Sequence, residues 1–183
     1  MRIVVLLLAV STPTVGADFR LLEFGASCTA IDTKEAGLGS TKTDWPKLDA
    51  AEMHAFKGMA FQAQVTIGYF CSNDLFLAGN YFFPKGDVDE ALANYEAVHK
   101  ELVSTYGAPF LDNSRWMAPM DSRRLQGDPR KYSTTWKTPR AWVHLSILPL
   151  RDEARTKWQL AVMYTKPTAG VSSNTSLERT RDR

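Results

Sequence analysis

The sequence predicts an α+β domain: an antiparallel sheet of about five strands with a long helix and a short helix packed on one face. Three observations predict it. Between Ala60 and Phe70 the odd positions Phe61, Ala63, Val65, Ile67 and Tyr69 alternate with Gln62, Gln64 and Thr66, the period of a strand with one buried face. Between Asp87 and Gly107, Val88, Ala91, Leu92, Tyr95, Val98, Leu102 and Tyr106 recur at helical spacing. Further on, Val143, Leu145 and Ile147 can face Trp158, Leu160, Val162 and Tyr164 across a hairpin whose charged tip is Arg151-Asp152-Glu153-Ala154-Arg155. Short helix, two strands, long helix, three strands is an order that lays helices on one face of an antiparallel sheet.

The elements follow in turn. Met1-Arg2, the apolar run Ile3 to Val10 and the small residues up to Ala17 match the three parts of a secretory signal, with Asp18 as the expected mature start. A spanning anchor needs roughly 20 apolar residues, far more than this run supplies. Phe19 to Phe24 reads as a short strand or packing arm. Ser27 reads as the N-cap of a short helix from Cys28 to about Ala36, stopped by Gly37 and Gly39. Ser40 to Asp49, with Trp45-Pro46 and little periodicity, reads as a loop. Cys71 ends the alternating strand, Ser72-Asn73-Asp74 supplies a turn, and Leu75 to Phe83 returns as a second strand, apolar on both faces and therefore central.

Asp87 and Glu90 form a capping signature for the long helix, and Gly107 and Pro109 stop it. Phe110 to Arg130 is irregular and rich in Arg, Met and Pro. Strands at Tyr132 to Lys137, Ala141 to Leu148 and Lys157 to Thr165 complete the domain, which spans residues 18–166. From Pro167 to Arg183 only Val171 and Leu177 are sizeable apolar residues, too few to offset the entropy of ordering the segment, so a disordered tail is expected.

The two cysteines, Cys28 and Cys71, lack the spacing of a redox motif, and in an exported chain they are expected to form a structural disulfide. With 22 Lys and Arg against 20 Asp and Glu, the net charge is only +2, and the basic stripe of a nucleic-acid binder is missing.

The start of the short helix, Gly25-Ala26-Ser27, the aromatic strand end Tyr81-Phe82-Phe83, the helix end Tyr106-Gly107-Ala108-Pro109 and the later Trp136 resemble small bacterial periplasmic proteins and lipoproteins. Their helix-then-strands repeat is similar to the β-lactamase-inhibitor-protein-like and outer-membrane-assembly-lipoprotein-like architectures. The resemblance covers roughly Phe24 to Tyr164. It implies a noncatalytic binding or assembly role in the envelope and transfers no active-site residue. The chain differs from the lipoprotein members in having no cysteine at the cleavage point to carry a lipid.

The chemistry-bearing residues are dispersed. His54, His99 and His144 stand too far apart for a local metal motif, and each has a structural reading: a loop or strand edge for His54, the polar side of the long helix for His99, the face opposite the buried one for His144. Gly37-Leu38-Gly39-Ser40-Thr41-Lys42 lacks the spacing, the preceding strand and the following helix of a phosphate-binding loop. Asp87, Asp89 and Glu90 lack a calcium loop's alternating ligands. No catalytic residue, metal ligand or cofactor is assigned. The candidate interaction surface is instead Arg115, Trp116, Arg123, Arg124 and Tyr132, with Trp142 extending it, because Arg, Trp and Tyr combine large contact area with directional hydrogen bonds. The expected function is a soluble periplasmic or secreted binding, inhibitor or assembly-type protein acting on another envelope protein, with no nucleic acid and no transmembrane segment. The alternatives are a small secreted hydrolase using His99 or His144, and a carrier of an apolar ligand held between sheet and helix.

Overall fold

A computed structural model describes residues 18–20, 22–45, 52–114, 132–151 and 156–167. The expected leader over 1–17 and most of the expected tail lie outside the described residues. The elements are a 3-10 turn at Cys28–Ala30 running into α1 (Ile31–Gly37), then β1 (Thr41–Thr43), β2 (Glu52–Ala60), β3 (Ala63–Ser72), β4 (Leu75–Phe82), α2 (Val88–Tyr106), β5 (Leu111–Asp112), β6 (Ser133–Lys137), β7 (Trp142–Arg151) and β8 (Thr156–Thr165).

The sheet overturns the expected one. It has eight strands rather than about five, in the order β1-β2-β3-β4-β8-β7-β6-β5, with every neighbouring pair antiparallel. Among the described residues the protein is mostly sheet with two α-helices, not a small sheet under a helical layer. Three strands account for the difference. β1 lies in the stretch read as a loop, β5 is two residues long, and β2 occupies a segment without clean alternation. A helix followed by four strands occurs twice along the chain, and the strand order is symmetric about the β4–β8 seam.

The hidden β2–β3 hairpin has a physical cause. Its turn is Phe61-Gln62, both with positive φ (50° and 56°), where Asn or Gly is the usual choice. Phe61 accepts this conformation because its ring packs on Tyr81 and Phe83, with centroids 5.4 and 6.2 Å away. The next turn, Asn73-Asp74, also has both residues at positive φ and uses the residue types suited to it, as the sequence predicts.

The long helix is capped as expected. Asp87 Oδ1 accepts the Glu90 N–H at 2.9 Å, and Gly107, with φ of 78°, donates its N–H to the Val103 carbonyl. Its buried stripe of Ala91, Leu92, Tyr95, Val98 and Leu102 rests on β7 and β8. The last hairpin turns Val143, Leu145 and Ile147 inward with Trp158, Leu160, Val162 and Tyr164, as the alternation predicts, and its register pairs Val143 with Tyr164, Leu145 with Val162 and Ile147 with Leu160.

Of the two readings of Phe19 to Phe24, the described residues form the packing arm and not the strand. A tight turn pairs Phe19 with Leu22 and drives the Phe19 ring into the core, with centroids 4.9 Å from Tyr81 and 5.2 Å from both Tyr69 and Tyr164. Gly79 leaves the room this ring needs: a methyl at that position would overlap it. Cys28 and Cys71 are disulfide-bonded and both buried, stapling the 3-10 turn to β3.

Candidate interaction face

Strand register divides the sheet side chains into two sets. The inward set builds the core with the helices and the N-terminal turn. The outward set runs in rows across the strands, one of which is Leu111, Thr135, His144, Met163, Asn80 and Gly68. A second row carries Lys137, Trp142, Thr165, Ala78 and Phe70. Toward β1, Trp45 stacks on Phe82 of this face, with ring centroids 4.8 Å apart. Toward β5, Leu111 is 49% exposed and Met163 38%, while Trp142 is half-buried.

The corner beside β5 has the most specific geometry. The Lys137 ammonium lies 3.5 Å from the centroid of the Phe110 ring and 4.3 Å from that of Trp142. A cation held against two aromatic faces gains from both ring quadrupoles and loses side-chain freedom. Phe110 itself is 65% exposed. Next to this corner, Thr135 Oγ1 and His144 Nδ1 share a hydrogen bond of 2.9 Å, and burial holds the His144 ring below the usual histidine pKa. The outward positions of the described strands carry Lys57, Lys137, Lys157 and His144, and no Asp or Glu.

Two polar clusters lie on the inward side. In the first, Asp112 Oδ1 accepts hydrogen bonds from the Ser114 N–H at 3.0 Å, from Ser114 Oγ at 2.5 Å and from Thr134 Oγ1 at 3.1 Å. Thr134 also bonds the Tyr95 hydroxyl at 2.6 Å, and His99 Nε2 stands 3.5 Å from Asp112 Oδ2. The Ser114 proton is thus committed to the carboxylate rather than to the imidazole, an arrangement that ties β5 to α2 and β6 and arms no nucleophile. His99 is a correction to the expected placement. It faces inward, with its ring centroid 5.5 Å from that of Trp136, and does not lie on the polar side of α2.

The second cluster surrounds Glu35, a fully buried carboxylate. Its Oε1 accepts from Arg20 Nε at 2.7 Å and from the Tyr69 hydroxyl, while Arg20 reaches Ser40 Oγ at 3.2 Å. Burial, and then the hydrogen bond to Glu35, push the Tyr69 hydroxyl far above the ordinary tyrosine range. Pairing of this kind is what makes a buried carboxylate tolerable. On the surface nearby, Asp32 accepts from Lys42 and faces His54 Nδ1 at 3.4 Å, and the Lys42 hydrogen bond holds its carboxyl below the usual carboxylate range.

Of the residues assigned to the interaction surface from the sequence, Arg115, Trp116, Arg123 and Arg124 lie outside the described residues. Tyr132 is not on a surface at all. It is fully buried, edge-on to Tyr95 with centroids 6.3 Å apart. Trp142 does face outward, on the same side of β7 as His144. The Phe110–Lys137 contact was not assigned: the two residues are far apart in the chain, and no spacing pattern links them. Among the described residues no three His, Cys, Asp or Glu side chains gather to hold a metal ion, and no helix is long and apolar enough to cross a membrane. Comparison with family models, with curated proteins and with solved structures gives no match.

Proposed function

We propose that the protein is an exported binding protein of inhibitor or assembly type, working without catalysis, and that it engages another envelope protein through the outward face of β5 to β8. The observation that carries this reading is the joint exposure of Phe110, Leu111 and Met163 around the half-buried Trp142, on the side of the sheet opposite the packed core. Apolar and aromatic groups grouped on one open face mark contact surfaces, since solvent exposure of such area is unfavourable and association removes it. The disulfide supports an oxidising compartment, where such bonds persist. The apolar leader and the resemblance to periplasmic proteins point the same way.

The test is site-specific photocrosslinking in cells of the native host. A photoreactive side chain at Met163 is expected to trap one discrete partner in the envelope fraction, and the same group at Lys100 on α2 is expected to trap none. Identical adducts from both positions, or none from Met163, would remove the reading. N-terminal sequencing of the recovered protein is expected to begin at Asp18.

A further inference from the structure

The geometry points to Lys137, held between Phe110 and Trp142, as the anchor for a carboxylate on an acidic segment of the protein partner. This rests on the binding reading above and adds the partner's chemistry to it. Three observations lead here. First, the ammonium is pre-placed: two rings, 3.5 and 4.3 Å from Nζ at their centroids, fix a side chain that is otherwise among the most mobile. Ordering it beforehand lowers the entropy that association costs. Second, the rings take over part of the ammonium's hydration but supply no counter-charge, so an arriving carboxylate meets a partly desolvated cation, where the attraction is stronger than in open water. Third, the charged side chains at the described outward strand positions are of one sign. These positions hold Lys57, Lys137 and Lys157, and no carboxylate among the described residues to compete for them.

The apolar neighbours say what kind of acid fits. Leu111 and Met163 stand exposed on the same face, so the complementary surface alternates acidic and apolar groups. A bare polyanion would leave those side chains in water. A nucleic acid therefore satisfies the charge and leaves the apolar area unused, whereas an acidic peptide segment with apolar residues uses both. An anionic bilayer also offers both, and competition by vesicles separates it from a peptide.

The probe is a random dodecapeptide phage library panned on the oxidised full-length protein, with binding of selected synthetic peptides followed by fluorescence anisotropy. Selected sequences are expected to be enriched in Asp and Glu beside apolar residues. K137Q is expected to weaken them at least tenfold, W142A to weaken them comparably, and K34Q on α1 to leave them unchanged. M163D separates the two levels of the argument. If peptides bind and M163D weakens them while K137Q does not, or if the selected peptides are not acidic, the Lys137 anchor is wrong and the face stands. If neither variant weakens them, the binding face itself is wrong. A single-stranded dodecadeoxynucleotide and vesicles with one third phosphatidylglycerol are expected not to displace the peptide, and displacement by either overturns the assignment to a protein partner. Thermal unfolding and circular dichroism of each variant confirm a retained fold, which is expected because Lys137 and Met163 are exposed.

Discussion

The ring of Phe19 stands where a side chain at position 79 would have to go. A methyl added to Gly79 in β4 would overlap that ring, which the core holds on its other sides by Tyr69, Phe76, Tyr81 and Tyr164. Gly79→Ala is therefore expected to destabilise the fold by about 2 kcal/mol through overpacking. Phe19→Ala is expected to cost about 4 kcal/mol through the cavity it leaves. The double variant should fall well short of the sum, because removing the ring removes the clash. Urea unfolding of the four proteins checks this, and strict additivity would refute the contact.

The disulfide links residues 43 apart in sequence. Opening it with reductant, or replacing both cysteines by serine, is expected to lower the unfolding free energy by roughly 4 kcal/mol, since the bridge restricts the unfolded chain. Urea midpoints with and without dithiothreitol measure the difference, and coincident curves would contradict the assignment.

Glu35 depends on Arg20. Arg20→Ala leaves a fully buried carboxylate without its cation and is expected to cost about 3 kcal/mol. Adding Glu35→Gln to it should restore part of the loss, because the neutral amide no longer needs a counter-charge. Thermal unfolding of the single and double variants distinguishes this from simple loss of packing, which the second substitution would not repair.

Stability at alkaline pH is set by buried phenols. Burial above all pushes the Tyr81 and Tyr95 hydroxyls up to about 12. An unfolded tyrosine ionises at about 10, so the folded state keeps protons that the unfolded state has lost. The contribution is complete below about pH 10, falls as pH rises toward about 12, and changes no further above it. Melting temperatures should therefore decline across that window, with tyrosinate absorbance at 295 nm lagging behind that of free tyrosine. Tyr95→Phe should make the decline shallower.

Residues with strong local signals were legible. The Asp87 cap and Gly107 stop delimit α2 closely, and the alternation of β7 and β8 shows which of their residues face the core. The disulfide is expected from two cysteines in a chain whose first residues read as an export signal, and the two are bonded. Strand β2 was not legible, because its hairpin turn at Phe61-Gln62 is held by aromatic packing instead of turn chemistry. β1 and β5 are too short to show a period. Tyr132 reads as a surface tyrosine beside arginines, but its place follows from Tyr95 across the core, which no local pattern reveals. For the same reason Trp142 could be assigned outward from its strand's alternation, while its partnership with Lys137 and Phe110 could not.

The seam between β4 and β8 joins the first four-strand half of the protein to the strand made last. During synthesis, and during any threading across a membrane from the N-terminus, β4 lacks its partner row of amides and carbonyls until residues 156–165 are available. A free edge of that length invites pairing with another nascent chain. The strand order thus places the open edge on the half-finished sheet rather than on the mature molecule.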